Sequence, residues 1–265
     1  MYFKTLKEKC EYYRSLTDTR LMPNSYVLVM VDGHCFSKMI KNKFEKPFDD
    51  TFIEMMNETA KYLCENIQGV KFAYTQSDEI SLLITDFDTE MTDSYFSFRL
   101  CKMLSLIASM ATAKFNQMYY SKVIDLKNVP LCTFDCKVWT VPNANDAFAW
   151  FLYRQIDCIK NSKAQTAQSF VSHKDLVGLT ADEMIAKCKE DKGVDWYAYP
   201  NDRRYGRIIK KVETPMEKDL PNGEHIKFVR NVWTAVPGVD LKDDPSMVRD
   251  LIPERDGQRG TEEDA

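Results

Sequence analysis

Three acidic side chains stand where predicted strands end, and together they could bind a metal ion. Asp32 follows the apolar run 26–31, which is typical of a buried strand. Asp78 and Glu79 lie in a polar tetrad between two further strand-like runs, the pattern of a short hairpin. Carboxylates brought together without His or Cys neighbours repel one another unless cations lie between them, and their hard oxygens favour Mg²⁺. Two such ions are the usual arrangement for phosphoryl or nucleotidyl transfer.

The elements that must position these carboxylates follow one another in the order of a split βαβ sheet. The predicted order is strand, helix, strand, strand, helix and strand, over residues 26–31, 47–67, 70–75, 80–85, 93–118 and 131–141. This βαββαβ order is typical of an α+β fold with a ferredoxin-like sheet, in which the first and third strands are central neighbours. We therefore expect the carboxylates to converge at one edge of the sheet. Residues 1–141 are predicted to form a catalytic domain like the palm of a polymerase or a cyclase.

Basic residues near this edge could neutralise a triphosphate. Arg99 and Lys102 are three residues apart on the second predicted helix, and Lys46 precedes the first. Taken singly, an Asp-Gly after a strand, a polar hairpin turn or a basic pair on a helix is more often structural or solvent-facing. Their joint placement on one sheet favours the catalytic interpretation.

The carboxyl-terminal half is predicted to be helical and basic. The patterns indicate helices over 145–171 and 180–189, the latter with a capping box of Thr180 and Glu183. Between Arg203 and Lys211 five positive charges follow closely on three aromatic residues, which fits either a phosphate- and base-contacting surface or a solvated loop. We expect residues 142–251 to pack on the palm as an extension. The acidic, polar segment 252–265 is predicted to be a disordered tail.

Composition excludes several classes of protein. With 36 Lys and Arg against 40 Asp and Glu, the net charge is −4, so a nucleic acid would have to be bound by local basic patches. No apolar run reaches the roughly 18 residues of a membrane span. The eight cysteines include no CxxC pair, and Cys132 with Cys136 lacks two further zinc ligands. Reduced cysteines and the absence of an apolar leader predict a cytoplasmic protein.

Five motifs resemble the tRNA-His guanylyltransferase family. They are Asp32-Gly33 with Phe36, Lys46-Pro47-Phe48-Asp49, residues 74–81, Phe134-Asp135 and residues 153–157. They occur in the family's order across residues 26–211. The stretch 160–174 is similar to the guanylyltransferase-like branch, template-dependent polymerases that work in the 3′-to-5′ direction. It differs from the corresponding stretch of the eukaryotic enzymes that add an extra guanosine to histidine tRNA.

The resemblance implies an enzyme that adds nucleotides to the 5′ end of tRNA, as in repair of truncated 5′ ends. It implies that Asp32, Asp78 and the backbone carbonyl of Gly33 bind two Mg²⁺ ions and that Glu79 is a further catalytic acid. GTP, ATP and other nucleoside triphosphates are the implied substrates. Their candidate binding residues are Gly33, His34, Cys35, Phe36, Lys46, Ser77, Arg99 and Lys102, and the candidates for binding RNA are Lys160, Asn161, Lys163, Arg203, Arg204 and Arg207. The resemblance also implies a homotetramer, so we expect the protein to form a homo-oligomer.

Two alternatives remain at this point. A catalytically weak RNA-binding relative is favoured if Met30 and His34, which stand where the family usually has cations, abolish triphosphate binding. A nucleotidyl cyclase would share the palm but would need no RNA.

Overall fold

A single six-stranded antiparallel sheet organises the chain. The computed structural model describes residues 2–34, 36, 43–89, 91–122, 131–219, 221 and 224–255. The strands are β1 (Tyr26–His34), β2 (Val70–Gln76), β3 (Glu79–Ile84), β4 (Thr133–Val141), β5 (Arg207–Asp219) and β6 (His225–Pro237). Their order across the sheet is β4-β1-β3-β2-β5-β6. The first four strands have the predicted ferredoxin-like arrangement, which confirms β1 and β3 as central neighbours.

Helices cover both faces of this sheet. Those of the described residues are α1 (Leu6–Ser15), α2 (Asp50–Asn66), α3 (Leu100–Lys122), α4 (Ala144–Phe170), α5 (His173–Leu176), α6 (Ala181–Lys192), α7 (Asn201–Arg204) and α8 (Ser246–Arg249). Within the described part of the chain, no helix is both long enough and apolar enough to span a membrane.

Alternation along the strands divides the core into two layers. On one face, Val27, Val29 and Val31 of β1 pack with side chains of α2 and α3. On the other, Tyr26 and Leu28 pack with α4 and α8. Successive residues of a strand point to opposite faces, so Asp32 belongs to the face that α4 covers.

Several element boundaries differ from the prediction in ways that matter for the site. Strand β1 runs on to His34, so Asp32 and Gly33 lie within the strand and pair with β4. The turn after β2 is reduced to Ser77 and Asp78, and Glu79 begins β3. The helix predicted over 93–118 begins only at Leu100, after residues 96–98 with positive φ, so Arg99 precedes it.

The carboxyl-terminal half contains the expected helices and, in addition, two strands. α4 is one unbroken helix, and the predicted capping box of α6 is present. The basic run that was predicted as a surface or a loop begins in α7 and continues into β5, which pairs with β2 and extends the sheet. The tail was expected from Ile252, but Ile252 is buried and Pro253 accepts a hydrogen bond from the Tyr26 hydroxyl at 2.8 Å. Residues 256–265 lie outside the described part.

A buried amide joins α4 to the segment that follows β6. The Gln155 Oε1 atom accepts from the Leu241 N–H at 2.7 Å, and its Nε2 donates to the Val239 carbonyl at 2.8 Å. We expect Gln155→Leu to lower the free energy of unfolding by about 2–3 kcal/mol, because it leaves a buried N–H and a partly buried carbonyl without these partners. Denaturant unfolding measures this loss. Gln117→Leu on the exposed side of α3 is the control, and equal losses in the two variants would contradict the interpretation.

Candidate active site

The end of β1 and the turn after β2 touch each other. The Gly33 N–H donates to the Asp78 carbonyl oxygen at 3.1 Å. A Cβ atom added to Gly33 would lie 2.9 Å from the Asp78 Cβ and 2.5 Å from the Phe36 ring, so only glycine allows this approach. The contact brings Asp32 and Asp78, two of the predicted catalytic carboxylates, to the same edge of the sheet.

Acidic neighbours flank Asp32 on both adjacent strands. Its register partners are Glu79 on β3 and Asp135 on β4. Burial, together with the charges of Asp78, Glu79 and Asp135, raises the pKa of Asp32 to about 6, whereas Lys137 opposes the shift. An excess of carboxylate oxygen with little positive charge nearby is the kind of site that a hard divalent cation satisfies.

The Asp78 carboxylate is held by its own turn. Burial raises the pKa of Asp78, and the Ser77 hydroxyl, which donates to Oδ1 at 2.9 Å, opposes that shift. Ser77 has a φ of 47°, a left-handed conformation that a two-residue hairpin turn requires. The turn therefore presents both side chains at the edge of the sheet.

Glu79 does not join this pair, because Arg154 holds it. The Arg154 guanidinium donates to both Glu79 oxygens, from Nε at 2.8 Å and from Nη2 at 2.5 Å, and only 5% of the Glu79 side chain is exposed. Burial raises the pKa of Glu79, and Arg154 opposes that shift. Among the residues with described positions, no three His, Cys, Asp or Glu side chains are grouped to hold a metal ion. Arg154 thus engages one of the three predicted carboxylates, and Asp32 and Asp78 remain, with the Gly33 carbonyl, as the predicted metal ligands.

A cavity of about 340 Å³ opens beside Asp78. Its wall includes five of the residues predicted to bind nucleotide or RNA, together with Asp78 itself. These five are Lys46, Ser77, Asn161, Arg203 and Arg207. The structure thus brings five of the fourteen predicted binding residues, from four separate segments, to one opening, whose size is that of a small-molecule site.

Other predicted nucleotide-binding residues lie elsewhere. Arg99 donates from Nε to Asp18 at 2.7 Å, and Lys102 lies 5.6 Å from the centre of the Phe96 ring. Neither lines the cavity. Phe36 is buried in the core, where its ring packs against the rings of three other phenylalanines. Its side chain therefore packs beneath Gly33 as part of the core and is not exposed to a ligand. His34 is exposed at the end of β1, and Cys35 lies outside the described residues.

The predicted RNA-binding residues lie in three places, one of which is the cavity wall just described. Lys160 and Lys163 line a second, shallower depression between α4 and α6, where Lys163 pairs with Asp182 at 2.5 Å. Arg204 packs its guanidinium over the rings of Trp196 and Tyr205. Arg207, expected on a basic surface, is buried, because β5 carries it into the sheet opposite Thr75.

Sequence reasoning assigned no role to Arg154, Asp135 or Lys137, which the structure places around the carboxylates. Asp135 and Arg154 both lie in motifs that carried the family resemblance. An acidic residue in the middle of a strand and an arginine on the apolar side of a long helix were the available signals. Pairing them with Asp32 and Glu79 required the register of the sheet.

Without divalent ions, the ionised Asp32 carboxylate should lower the free energy of unfolding of the protein. We expect Asp32→Asn to raise the free energy of unfolding at pH 7.5 without divalent ions by about 1–2 kcal/mol, a value reduced for the partial exposure of Asp32. The folded pKa is raised, so the penalty is absent below about pH 4 and grows as pH rises towards 6. The gain should accordingly vanish near pH 4. Unfolding curves at both pH values measure it, and a gain that does not depend on pH would contradict this account.

Comparison with known proteins identifies the family of this chain. The profile of the Thg1 family, described as tRNAHis guanylyltransferase, matches residues 7–142, just over half of the chain. The chain belongs to the tRNA-His guanylyltransferase family. Members of this family are nucleotidyltransferases.

Curated family members share about three residues in ten with this chain. The tRNA(His) guanylyltransferase 1 of Arabidopsis thaliana is 28% identical over 263 residues, which cover 92% of this chain and 45% of that protein. The tRNA(His) guanylyltransferase of Debaryomyces hansenii is 31% identical over 60% of each protein. The chain thus spans about half the length of these curated relatives.

Solved family structures match over nearly the whole chain. A bacterial tRNA(His) guanylyltransferase-like protein in complex with ATP is 32% identical, with a TM-score of 0.82 over 94% of this chain and 99% of that one. The same kind of protein in complex with GTP has a TM-score of 0.76 at 31% identity. The enzyme from Saccharomyces cerevisiae, 24% identical with a TM-score of 0.63, shares the fold. These matches place the chain with the guanylyltransferase-like members and confirm the palm-like α+β fold.

Proposed function

We propose that the chain is an Mg²⁺-dependent nucleotidyltransferase that adds nucleotides in the 3′-to-5′ direction to the 5′ end of tRNA, opposite a template strand, in the repair of truncated 5′ ends. The observation that carries the proposal is the contact of Gly33 with Asp78, which brings Asp78 close to Asp32 and next to a cavity that Asp78 itself lines. Solved relatives in complex with ATP and with GTP support a nucleoside triphosphate as substrate.

The residues present fit a magnesium site by their chemistry. Asp32 and Asp78 repel each other at neutral pH, and the Gly33 carbonyl adds a neutral oxygen. Divalent ions bound there would lower the pKa of an attacking hydroxyl and neutralise the charge of a triphosphate. Asp32 and Asp78 would hold them, and the rigid turn at Ser77 fixes the direction of the second carboxylate.

In the proposed reaction, the 3′ oxygen of an incoming nucleotide attacks the α-phosphorus of a 5′-triphosphorylated RNA end. A phosphodiester bond forms, pyrophosphate leaves, and the hydroxyl proton is released to solvent. Lys46 and the Ser77 hydroxyl stand beside Asp78 on the cavity wall, where they would bind phosphate oxygens, and Asn161 of α4 would contact the RNA end.

The test is extension of a tRNA that lacks its first nucleotides and carries a 5′-triphosphate. With Mg²⁺ and all four nucleoside triphosphates, the proposal predicts a product longer at its 5′ end, with added nucleotides complementary to the opposite strand. A single cyclic nucleotide formed in the absence of RNA would instead identify a cyclase. RNA binding without any extension would identify the catalytically weak alternative.

A further inference from the structure

Arg207 is a buried arginine on the wall of the cavity beside Asp78. Only 5% of the residue is exposed. Its Nε atom donates to the Asn57 Oδ1 at 3.0 Å, and its Nη1 atom donates to the Asp202 carbonyl at 3.3 Å. The Nη2 atom is buried and has no hydrogen-bond partner among the residues that the structure describes. Buried polar groups in proteins are nearly always paired, so this nitrogen marks a place where a partner belongs.

The described residues supply no anion for Arg207. Its ionisable neighbours Cys158 and Tyr74 are neutral, because burial raises the pKa of Cys158 to about 11 and that of Tyr74 well above its usual value. Arg203, which lies nearby, repels it and is itself paired with Asp50 and Asp202. Burial lowers the pKa of Arg207 to about 10, which still leaves the guanidinium charged at neutral pH. A buried charge without a counter-ion is strongly unfavourable, so a bound anion would complete the site.

We propose that Arg207 binds a phosphate group of the substrate through Nη2. The cavity that it lines also contains Lys46 and Ser77, a second cation and a hydroxyl donor, and its volume admits a phosphate ester. A guanidinium matches the geometry of phosphate oxygens better than an ammonium group does. The proposal rests on the proposed function only for the source of the phosphate, which is either a nucleoside triphosphate or the 5′ end of an RNA.

Binding measurements without turnover test the assignment. The ligands are ATP with Mg²⁺, a hairpin RNA with a 5′-monophosphate, and the same RNA with a 5′-hydroxyl, and the readout is calorimetry. Arg207→Met keeps most of the buried volume and should bind at least one of the two phosphate ligands about tenfold or more weakly than the original chain. Arg207→Lys, which keeps the charge, should restore part of that affinity. Arg249→Met is the control, since Arg249 makes a hydrogen bond and a ring contact of its own but does not line the cavity.

The pattern of losses identifies the source of the phosphate. A loss confined to ATP assigns the nucleotide, and a loss confined to the 5′-phosphorylated RNA assigns the RNA end. Unchanged affinity for both ligands, or an equal loss for the 5′-hydroxyl RNA, would overturn the proposal. If Arg207→Met does not fold, Arg207→Lys is measured instead. An affinity of Arg207→Lys for both phosphate ligands equal to that of the original chain would then overturn the proposal. If the original chain does not extend the 5′ end of the RNA but Arg207→Met still binds phosphate more weakly, only the proposed function is overturned.

Discussion

Replacing Asp78 by asparagine is expected to lower the rate of 5′ extension by about 10³-fold or more. The substitution preserves the shape of the side chain and removes the negative charge beside Asp32 that a divalent ion needs. The fold should be unaffected, because burial already disfavours the charged form of Asp78. Single-turnover extension of a truncated, 5′-triphosphorylated tRNA measures the loss.

The control for this experiment is Asp243→Asn. Asp243 is exposed and far along the chain from both carboxylates, and the same change of charge there should leave extension within about twofold of the original rate. Thermal unfolding should show Asp243→Asn to be as stable as the original chain and Asp78→Asn to be at least as stable, because burial raises the pKa of Asp78. Extension by Asp78→Asn at the original rate would remove Asp78 from the catalytic site.

Replacing Arg154 by methionine is expected to lower the free energy of unfolding by about 3–5 kcal/mol. Methionine leaves the Glu79 carboxylate buried without its cation, which costs more than losing the pair as a whole. Adding Glu79→Gln to Arg154→Met should recover a large part of the loss. Arg230→Met on the exposed part of β6 is the matched control and should change stability by no more than about 0.5 kcal/mol.

The loss of stability in Arg154→Met should depend on pH. Without Arg154, the folded pKa of Glu79 rises further above its unfolded value of about 4.3. The ionised form then penalises folding, so the destabilisation is smallest near pH 4 and grows as pH rises towards neutrality. Denaturant unfolding at several pH values measures the trend. A loss of stability that is constant from pH 4.5 to 7.5 would mean that Glu79 does not depend on Arg154.

The sheet was predictable from the sequence because apolar runs and turn residues mark its first four strands. The run 26–31 is too apolar for an exposed strand, and Gly69 ends the first helix at the start of β2. Strand β5 was not predicted because charged residues dominate its start, and only pairing with β2 shows that Arg207 is buried. The end of β1 was misplaced because Asp32 and Gly33, which usually end a strand, continue it through pairing with β4.

The candidate site was predictable in its carboxylates and less so in their partners. Asp32 and Asp78 follow from their place at strand ends, since an antiparallel β1 and β3 must bring those ends together. The diversion of Glu79 to Arg154 depends on how α4 crosses the sheet, 75 residues away in sequence, and no local pattern encodes that crossing. The separation of Arg99 from the cavity likewise depends on tertiary contacts, here with Asp18.

One measurement tests most directly whether the two carboxylates share divalent ions. Crystals grown with ATP and Mn²⁺ in place of Mg²⁺ allow the metal to be located by its anomalous scattering. We predict an anomalous peak between the Asp32 and Asp78 carboxylates, next to the nucleotide's phosphates, and its loss in Asp78→Asn. A nucleotide bound in the cavity with no metal at these carboxylates, or a metal held by other residues, would contradict the proposed chemistry.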